Sequence, residues 1–223
     1  MGDATPHRSE VLPGVWLDSR RAVFFASLRL LVVADIHWGY TLSHRAVGNL
    51  LPHWGDAEIA AQLRALLWDY RPAEMLWLGD SLHALPGRRA AEEFLSSLDS
   101  TVLVTVLAGN HDFRWNRAQR GSLERWPYFF HHGDAVHTVP TGAVEIVGHH
   151  HPAFRWSDSA GARIKLPALV VSPHRLILPA FSPWAAGVAW SERLREGETL
   201  WLIGRRRVFR ALNVGEEPIS PGS

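Results

Sequence analysis

The sequence predicts an α/β fold in which two β-sheets pack together and are flanked by helices. In the first half of the chain, apolar runs of strand length alternate with helical patterns, which favours a sheet whose crossovers are helical. Beyond residue 126 the pattern is that of short strands, which predicts a second sheet. A length of 223 residues allows a sizeable core and predicts one domain spanning 1–223.

The first half of the chain opens with a predicted β-hairpin. Residues 14–17 and 22–25 are apolar segments split by a polar turn, and they lead into the run 30–34. That run is continuously apolar, as expected of a strand covered on both faces. A helix is predicted to begin at Asp56, which can cap it, and to end before Pro72. The elements that follow are predicted at 75–78 (strand), 89–98 (helix), 102–108 (strand) and 116–124 (short helix).

The second half of the chain is rich in predicted strands and ends in a predicted loose tail. The motif-bearing core takes up 30–152, the β-rich part 160–212 and the tail 213–223, which is rich in Gly, Pro and Glu. The three arginines at 205–207 are interpreted as a turn between the last two strands. The strands are predicted at 128–130, 144–147, 163–171, 175–178, 188–190, 200–203 and 208–211.

Composition restricts the chemistry that the chain can carry. Cysteine is absent, so disulfides, thiolate metal sites and cysteine nucleophiles are excluded. A bound metal must use oxygen and nitrogen donors, which suits Mn²⁺, Fe²⁺ or Zn²⁺. The net charge of +1 is not that of a protein held on nucleic acid by bulk electrostatics. Nearly all the positive charge is arginine, which suits bidentate phosphate contacts, although coding bias explains the same composition.

The sequence predicts neither a membrane segment nor a secretory signal. Residues 1–10 lack an apolar core, and the apolar stretches 28–34 and 102–108 are far shorter than the roughly 20 residues of a membrane helix. We therefore expect a cytoplasmic protein without a membrane partner.

Five short stretches rich in Asp, His and Asn are candidates for a two-metal centre. At least the first three follow directly on apolar runs that are predicted to be buried strands. A pair of ions about 3.5–4 Å apart stabilises both the attacking and the leaving oxygen of a displacement at phosphorus. Metal-dependent phosphoester hydrolysis is therefore the leading interpretation. The stretches are Asp35-Ile36-His37, Gly79-Asp80-Ser81-Leu82-His83, Gly109-Asn110-His111-Asp112, His131-His132-Gly133 and Gly148-His149-His150-His151.

The places of these stretches in the chain support the same interpretation. In open α/β sheets ligands bind beyond the carboxyl ends of strands, and Asp35 and Asp80 each come within two residues of a predicted strand end. Residues two apart in an extended segment share a face, so Asp35 and His37 can reach one ion. His149 and His151 repeat this spacing. Asp80 is the best bridging ligand, because a carboxylate can bind two ions and offset their repulsion.

Each stretch taken alone has an ordinary structural explanation. An Asp-x-His pair can be surface polarity or a cap, a Gly-Asp or Gly-Asn-His-Asp sequence can be a turn, and three consecutive histidines can be a solvated tract. These explanations would have to hold together, in this order. The combination therefore favours a metal centre.

As a set, the five stretches resemble those of the calcineurin-type metallophosphoesterase superfamily over residues 35–151. The resemblance implies a four-layer α/β-β/α sandwich with a dinuclear centre. It implies that His111 binds no metal and lies beside the scissile phosphate as general acid or oxyanion stabiliser, and that Asp112 orients it. The implied ligands are Asp35, His37, Asp80 and His151 for one ion, and Asp80, Asn110, His132 and His149 for the other.

A narrower resemblance is to the ligase-associated DNA-damage-response metallophosphoesterases. It rests on 35–40, on the stretch 79–83, and on 166–168 with 173–181, although Ser81 stands where this group usually has an aromatic residue. The group is implied to be Mn²⁺-dependent and to act on phosphodiesters, including single-stranded DNA. It is also implied to work in repair alongside an ATP-dependent DNA ligase and a helicase.

The implied mechanism is attack on phosphorus by a hydroxide that bridges two metals, with His111 donating a proton to the leaving oxygen. His83 and Arg114 are candidate substrate-binding residues. A histidine matches His83 in DNA double-strand-break nucleases of the superfamily, and packing near the site is its alternative role. Arg114, Arg117 and Arg120 have the spacing of one helix face, which could contact flanking phosphates or be merely solvated.

Two other functions stay open. A small-molecule phosphoesterase, acting on cyclic nucleotides or phosphomonoesters, would use the same centre. A docking scaffold without catalysis should have lost ligands or His111, and none is missing. Trp38, Trp54 and Trp115 lie near the motifs and could stack on bases, although most of the 11 tryptophans must belong to the core.

Overall fold

The computed structural model describes residues 7–98, 102–112, 114–185 and 187–211, which form two β-sheets and three α-helices. The loose tail predicted at 213–223 lies outside the described residues.

The three helices all precede residue 97 in the described ranges, and none of them is long and apolar enough to cross a membrane. They are α1 (Tyr40–Ala46), α2 (Gly55–Tyr70) and α3 (Arg88–Ser96), with a 3₁₀ turn at Leu85–Gly87 before α3. The prediction that Asp56 caps α2 is wrong. Asp56 lies in the first turn, and its Oδ1 atom accepts a hydrogen bond of 2.9 Å from the Gly39 backbone amide. Asp56 thereby ties α2 to the loop that enters α1.

The first sheet has six strands in chain order. They are β1 (Arg8–Leu12), β2 (Val15–Asp18), β3 (Ala22–Phe25), β4 (Leu30–Val33), β5 (Glu74–Leu78) and β6 (Leu103–Leu107). Strands β1 to β4 form an antiparallel meander, so the predicted hairpin is confirmed. Strands β4, β5 and β6 are parallel because helices connect them, as the alternating pattern predicted.

The second sheet holds the nine remaining strands. They are β7 (Ser122–Arg125), β8 (Tyr128–His131), β9 (Val144–Val147), β10 (Pro152–Ser157), β11 (Arg163–Val171), β12 (Arg175–Ile177), β13 (Val188–Ala189), β14 (Thr199–Ile203) and β15 (Val208–Arg210). Strands β8, β9 and β12 are parallel neighbours at its centre. The arginines at 205–207 connect the antiparallel pair β14 and β15, which confirms the predicted turn.

The two sheets pack face to face, and α2 and α3 cover the outer face of the first sheet. Successive strand residues point to opposite faces, so Val32 packs with Phe130 between the sheets whereas Leu31 packs with Leu63 of α2. This confirms the predicted α/β class with two packed sheets. The outer face of the second sheet carries a smaller apolar cluster. The described residues place no helix on that face, so three layers are seen where the resemblance implies four.

The segment between β6 and β8 differs from the sequence prediction. The short helix predicted at 116–124 does not form. Gln119 instead pairs with β6, since its amide donates to the Val106 carbonyl at 2.9 Å and its carbonyl accepts from the Ala108 amide at 2.7 Å. Strand β7 then begins at Ser122 and pairs with β8. These pairings satisfy the backbone polar groups of the segment, so tertiary contacts override its helical spacing.

The sequence analysis also missed three short elements, β1, β10 and α1. Strand β1 shows no clear alternation and is partly exposed, and α1 has only seven residues. Such short segments carry too few residues for periodicity to identify them.

Candidate metal centre

The predicted ligands meet at one rim because the strands that precede them end there. Strands β4 and β5 are parallel neighbours of the first sheet, and Asp35 and Asp80 follow their last residues by two positions. Strands β8 and β9 are parallel neighbours of the second sheet, and His132 and His149 follow their ends. Both sheets thus deliver polar side chains beyond the carboxyl ends of parallel strands, where α/β folds bind ligands.

One cluster is formed by Asp35, His37 and His151, with one ligand atom of each within 4.8 Å of the others. The Asp35 carboxylate is fully buried, and its Oδ1 atom lies 3.1 Å from Nε2 of His151. The His149 backbone amide donates to both carboxylate oxygens, at 3.2 and 3.0 Å. The first sheet's Asp35 is thereby tied to the loop that follows β9 in the second sheet.

A second cluster is formed by Asp80, His132 and His149, again with ligand atoms within 4.8 Å of one another. Nε2 of His132 lies 3.4 Å from Oδ2 of Asp80 and 3.2 Å from Nδ1 of His149. The other ring nitrogen of His132, Nδ1, donates to the Leu78 carbonyl at 3.1 Å. This bond turns Nε2 toward the cluster, which is the orientation that a metal-binding imidazole needs.

The backbone at the two clusters is left-handed, contrary to the extended conformation that the spacing suggested. Among the described residues, eight non-glycine residues have positive φ. Such conformations cost of order 1–3 kcal/mol each and collect at functional sites. Asp35 and His37 do reach the same cluster, but by a tight turn, and His149 and His151 are divided between the two clusters. Five of the eight residues are Asp35, His37, Asp80, His149 and His151.

Two glycines allow the closest approaches within the site. A Cβ atom on Gly79, whose φ is +80°, would lie 2.1 Å from Nδ1 of His132. A Cβ atom on Gly109 would lie 2.2 Å from Oδ1 of Asp80. Both positions therefore exclude any side chain.

One histidine in each cluster has a strongly shifted pKa, and the two shifts are in opposite directions. Burial lowers the pKa of His37 to about 4 and outweighs the charges of Asp35 and Asp80, so this imidazole is neutral at pH 7. Burial also lowers the pKa of His132, but its hydrogen bond to Asp80 and the nearby carboxylate charges outweigh that effect and raise it to about 9. Burial raises the pKa of Asp80, yet the hydrogen bond and charge of His132 bring it down to about 2. Asp80 and His132 are consequently an ion pair at neutral pH.

The donors fit divalent cations in kind and in position. All six cluster members offer carboxylate oxygen or imidazole nitrogen, the donors that Mn²⁺, Fe²⁺ and Zn²⁺ accept. Nδ1 of His37 is buried and has no hydrogen-bond partner among the described residues, as expected of an imidazole that binds a cation. Asp80 acts electrostatically on His37 as well as on His132, so it lies close to both clusters. This position suits a carboxylate shared by two ions.

His111 lies at the open side of the clusters with its ring partly exposed. Its Nδ1 atom donates to the His83 carbonyl at 3.0 Å, and its Nε2 atom lies 4.0 Å from Oδ2 of Asp80. Its backbone amide donates to Oδ1 of Asp80 at 2.9 Å. Because the carbonyl fixes a proton on Nδ1, Nε2 is the atom available to a substrate.

The structure contradicts the expectation that Asp112 orients the His111 ring. The Asp112 carboxylate is buried and accepts three backbone hydrogen bonds, from Ser81 at 3.0 Å, Leu82 at 2.8 Å and Gly109 at 3.1 Å. These amides belong to the loops after β5 and β6. Asp112 therefore joins the two loops that carry Asp80 and His111, and the His83 carbonyl orients the ring.

The other predicted site residues lie around His111. Asn110 is exposed in the turn before it. His83 and Arg114 line one pocket together with His111. Since the helix at 116–124 is absent, Arg117 and Arg120 do not continue a helical face from Arg114.

The tryptophans near the motifs divide by burial. Trp38 and Trp115 belong to the core, with exposures of 1% and 3%, so they cannot stack on bases. Trp54 is 64% exposed.

Sequence reasoning missed an aromatic group beside the site. The rings of Tyr40 and His44 lie 4.3 Å apart on α1, and their centroids are 4.6 and 5.6 Å from that of His83. The spacing of four residues between Tyr40 and His44 is the signal that would have identified this pair, had α1 been recognised.

Comparisons with known proteins agree with this geometry. The family model described as calcineurin-like phosphoesterase matches residues 28–198, which include both clusters and His111. Among solved structures, the crystal structure of the nuclease MPE of Pseudomonas putida is similar, with a TM-score of 0.70 and 22% sequence identity over 93% of this chain and 100% of that chain. This likeness shows the fold. No curated protein matches the chain. The chain belongs to the calcineurin-like phosphoesterase family, which uses a dinuclear divalent metal centre, and it is a metal-dependent phosphoesterase.

Proposed function

We propose that the chain is a phosphodiesterase that cleaves single-stranded DNA and uses two divalent metal ions. The observation that carries the proposal is the arrangement of two adjacent Asp/His clusters with the exposed His111 ring beside them. Cationic side chains line a pocket on each side of the clusters. They are Arg114 on the His111 side, and Arg21 with Lys165 on the His151 side. A site flanked in this way suits a phosphodiester within a longer chain better than an isolated phosphate.

We assign the metal ligands as the family resemblance implies. Mn²⁺ is the preferred metal on the narrower resemblance, and the oxygen and nitrogen donors also suit Fe²⁺ or Zn²⁺. The grouping of side chains in the two clusters supports these sets except for two members. The sharing of Asp80 with the first ion rests on the resemblance and on its electrostatic effect on His37, and the neutral carbonyl oxygen of Asn110 is added from the resemblance alone. One ion would be held by Asp35, His37, Asp80 and His151, and the other by Asp80, Asn110, His132 and His149.

The side chains of the site would divide the work of hydrolysis. Two bound cations would lower the pKa of a water molecule and neutralise the charge of the phosphate. His111 would hold a proton at Nε2 and donate it to the leaving oxygen, since its Nδ1 proton is engaged by the His83 carbonyl. Asp112 would hold the loops after β5 and β6 together, so that the distance between Asp80 and His111 is maintained.

Cleavage of a 5′-labelled single-stranded oligonucleotide with Mn²⁺ tests the function. We expect internal cleavage that EDTA abolishes and that His111→Ala slows by roughly 10²–10⁴-fold, because a general acid is lost. The His111 ring is partly exposed, so the variant should keep the stability of the wild type.

The same assay separates this function from its main alternative. If the wild type turns over bis-p-nitrophenyl phosphate but not the oligonucleotide, the metal centre stands and the substrate is a small phosphodiester. If His111→Ala keeps the wild-type rate on both substrates, the assigned role of His111 is wrong.

The affinity of the second cluster for a metal ion should rise with pH because of His132. With a pKa of about 9, His132 must lose a proton to bind an ion at pH 7, whereas His37, with a pKa of about 4, need not. We expect the affinity of the second cluster to rise by about tenfold per pH unit between pH 7 and 9. Calorimetric titration with Mn²⁺ in buffers of different ionisation enthalpy should show one proton released. Binding that is independent of pH would contradict the assignment of His132.

The free energy of unfolding of the metal-free protein should instead fall as the pH rises, again because of His132. The pKa of His132 is raised above its ordinary value of 6.5, so its pairing with Asp80 stabilises the fold fully below pH 6.5. That contribution is lost as the pH rises through about 9. Denaturation of the protein in EDTA, compared between pH 6 and pH 9, measures this loss of stability.

The narrower resemblance and the sequence support three further proposals. We propose that the protein acts in DNA repair, that an ATP-dependent DNA ligase and a helicase are functional partners, and that 1–223 is one domain. Its cytoplasmic location stays a prediction.

A further inference from the structure

A pocket beside the first cluster carries positive charge that the proposed mechanism does not use. His151 forms one wall, and Arg21, Lys165 and Ser182 contribute the other polar groups. The pocket encloses about 180 Å³, well above the roughly 10–15 Å³ that one water molecule needs. Among the described residues no carboxylate lines it. Its size and its charge suit an anion.

Arg21 is held in place by the segment that supports the metal centre. Its Nη1 atom donates to the carbonyls of Ser182 at 2.8 Å and Phe181 at 3.4 Å. The same segment bonds to the end of β4, because the amides of Phe181 and Ser182 donate to the carbonyls of Ala34 at 2.8 Å and Asp35 at 3.1 Å. Arg21 is therefore fixed relative to Asp35. Within the described ranges its Nε and Nη2 atoms donate to no protein group, which leaves donors for a ligand.

The pocket adjoins a second one, with which it forms a groove, and no residue of the two clusters lines that second pocket. A second pocket shares Arg21, Lys165 and two prolines with the first, and it adds Arg205, which does not line the first pocket. Glu58 is the one carboxylate that lines this second pocket among the described residues. Three cationic side chains against one carboxylate leave the groove positive, and two adjoining pockets that share Arg21 and Lys165 suit a linear polyanion better than a compact one.

We propose that this cationic groove, defined by Arg21, Lys165 and Arg205, binds the phosphate next to the scissile one in a single-stranded polynucleotide. The inference rests on the proposed function and deepens it, because it names the part of the substrate that distinguishes a polynucleotide from a small phosphodiester. Lys165 and Arg21 contact the flanking phosphate as charged donors, and the chain leaves along Arg205. The groove makes no contact with the reacting atoms, so it selects the substrate and leaves the chemistry to the metal centre.

Binding of a fluorescently labelled oligothymidylate, measured by anisotropy in EDTA, tests the groove without catalysis. Lys165 is exposed, so Lys165→Ala should fold like the wild type. We expect its Kd to rise and the slope of log Kd against log salt to fall by about 0.7, the value of one lost contact to single-stranded phosphate. Lys165→Arg should keep the wild-type slope. An unchanged Kd and slope for Lys165→Ala would overturn the proposal.

Arg71→Ala is the matched control. Arg71 is exposed at the end of α2, before β5 begins, so its removal changes the net charge equally but at the opposite end of the parallel strands. With Mn²⁺, the ratio of kcat/KM for the oligonucleotide to that for bis-p-nitrophenyl phosphate should fall about tenfold in Lys165→Ala and stay constant in Arg71→Ala.

The outcomes separate this inference from the proposed function. If the wild type cleaves the oligonucleotide and Lys165→Ala keeps the wild-type ratio, the function stands and the groove proposal fails. If the wild type neither binds nor cleaves the oligonucleotide, both proposals fail.

Discussion

Asp80→Ala is expected to lower kcat/KM for any phosphodiester substrate by about 10³-fold or more. The carboxylate is the one we assign to both ions, and loss of a bound ion removes several kcal/mol of transition-state stabilisation. At 1.36 kcal/mol for each factor of ten, about 4 kcal/mol corresponds to 10³. Asp80 also accepts a hydrogen bond from the His111 backbone amide, so the variant loses the placement of His111 as well.

Three measurements on this variant distinguish a lost ligand from a damaged fold. Manganese content should fall from two ions toward one or none, and turnover of bis-p-nitrophenyl phosphate should fall with it. Asp158→Ala is the matched control, because Asp158 is an exposed carboxylate in the turn between β10 and β11. It should keep both ions and the wild-type rate. A metal-replete Asp80→Ala variant with near wild-type turnover would show that the metal centre is assigned wrongly.

Gly79→Ala is expected to have the largest effect on stability, about 3 kcal/mol or more. The added Cβ would lie 2.1 Å from the His132 ring, which is itself buried and cannot move freely. Overpacking of this kind typically costs about 1–3 kcal/mol. The φ of +80° adds about 1–2 kcal/mol for a residue that carries a Cβ atom. Movement of His132 to relieve the clash would also break its bond to the Leu78 carbonyl and its pairing with Asp80.

Gly197→Ala separates the two contributions. Gly197 has nearly the same φ, +81°, but an added Cβ would meet nothing within 4 Å. It should therefore lose only the backbone part, about 1–2 kcal/mol. Urea denaturation of both variants, with and without Mn²⁺, gives the comparison. Equal losses in the two variants would mean that the His132 ring moves aside at no cost, and the close approach at Gly79 would then have no structural role.

The fold was predictable where single segments carry a strong local signal. The run 30–34 is continuously apolar and became a strand buried on both faces, and the pattern before Pro72 became α2. The segment 116–124 has helical spacing but forms a bridge and a strand, because β6 and β8 offer its backbone better partners. Local propensity is a weak term of a few tenths of a kcal/mol per residue, and tertiary pairing readily exceeds it.

The identity of the candidate ligands was likewise available from the chain, since Asp, His and Asn stand directly after strands whose ends must meet at one rim. The roles of neighbouring residues were not available. Asp112 follows His111 in sequence, yet its carboxylate binds the amides of Ser81, Leu82 and Gly109 and leaves the ring to the His83 carbonyl. Such hydrogen bonds depend on where two loops come together, which spacing along one of them does not specify.

The sequence by itself therefore determined which donor atoms this protein can offer to a metal. They are oxygen and nitrogen atoms, since cysteine is absent, and they follow the ends of strands. The tertiary structure decided how the donors are shared. It placed His149 with Asp80 and His151 with Asp35, the division that the family resemblance implied, but through left-handed turns that the spacing did not indicate, and it brought Arg21 and Lys165 together beside them. The reason is physical. Side-chain type and strand pattern are properties of short segments, whereas distances between β2, β9 and β11 are set only when both sheets pack around a common core.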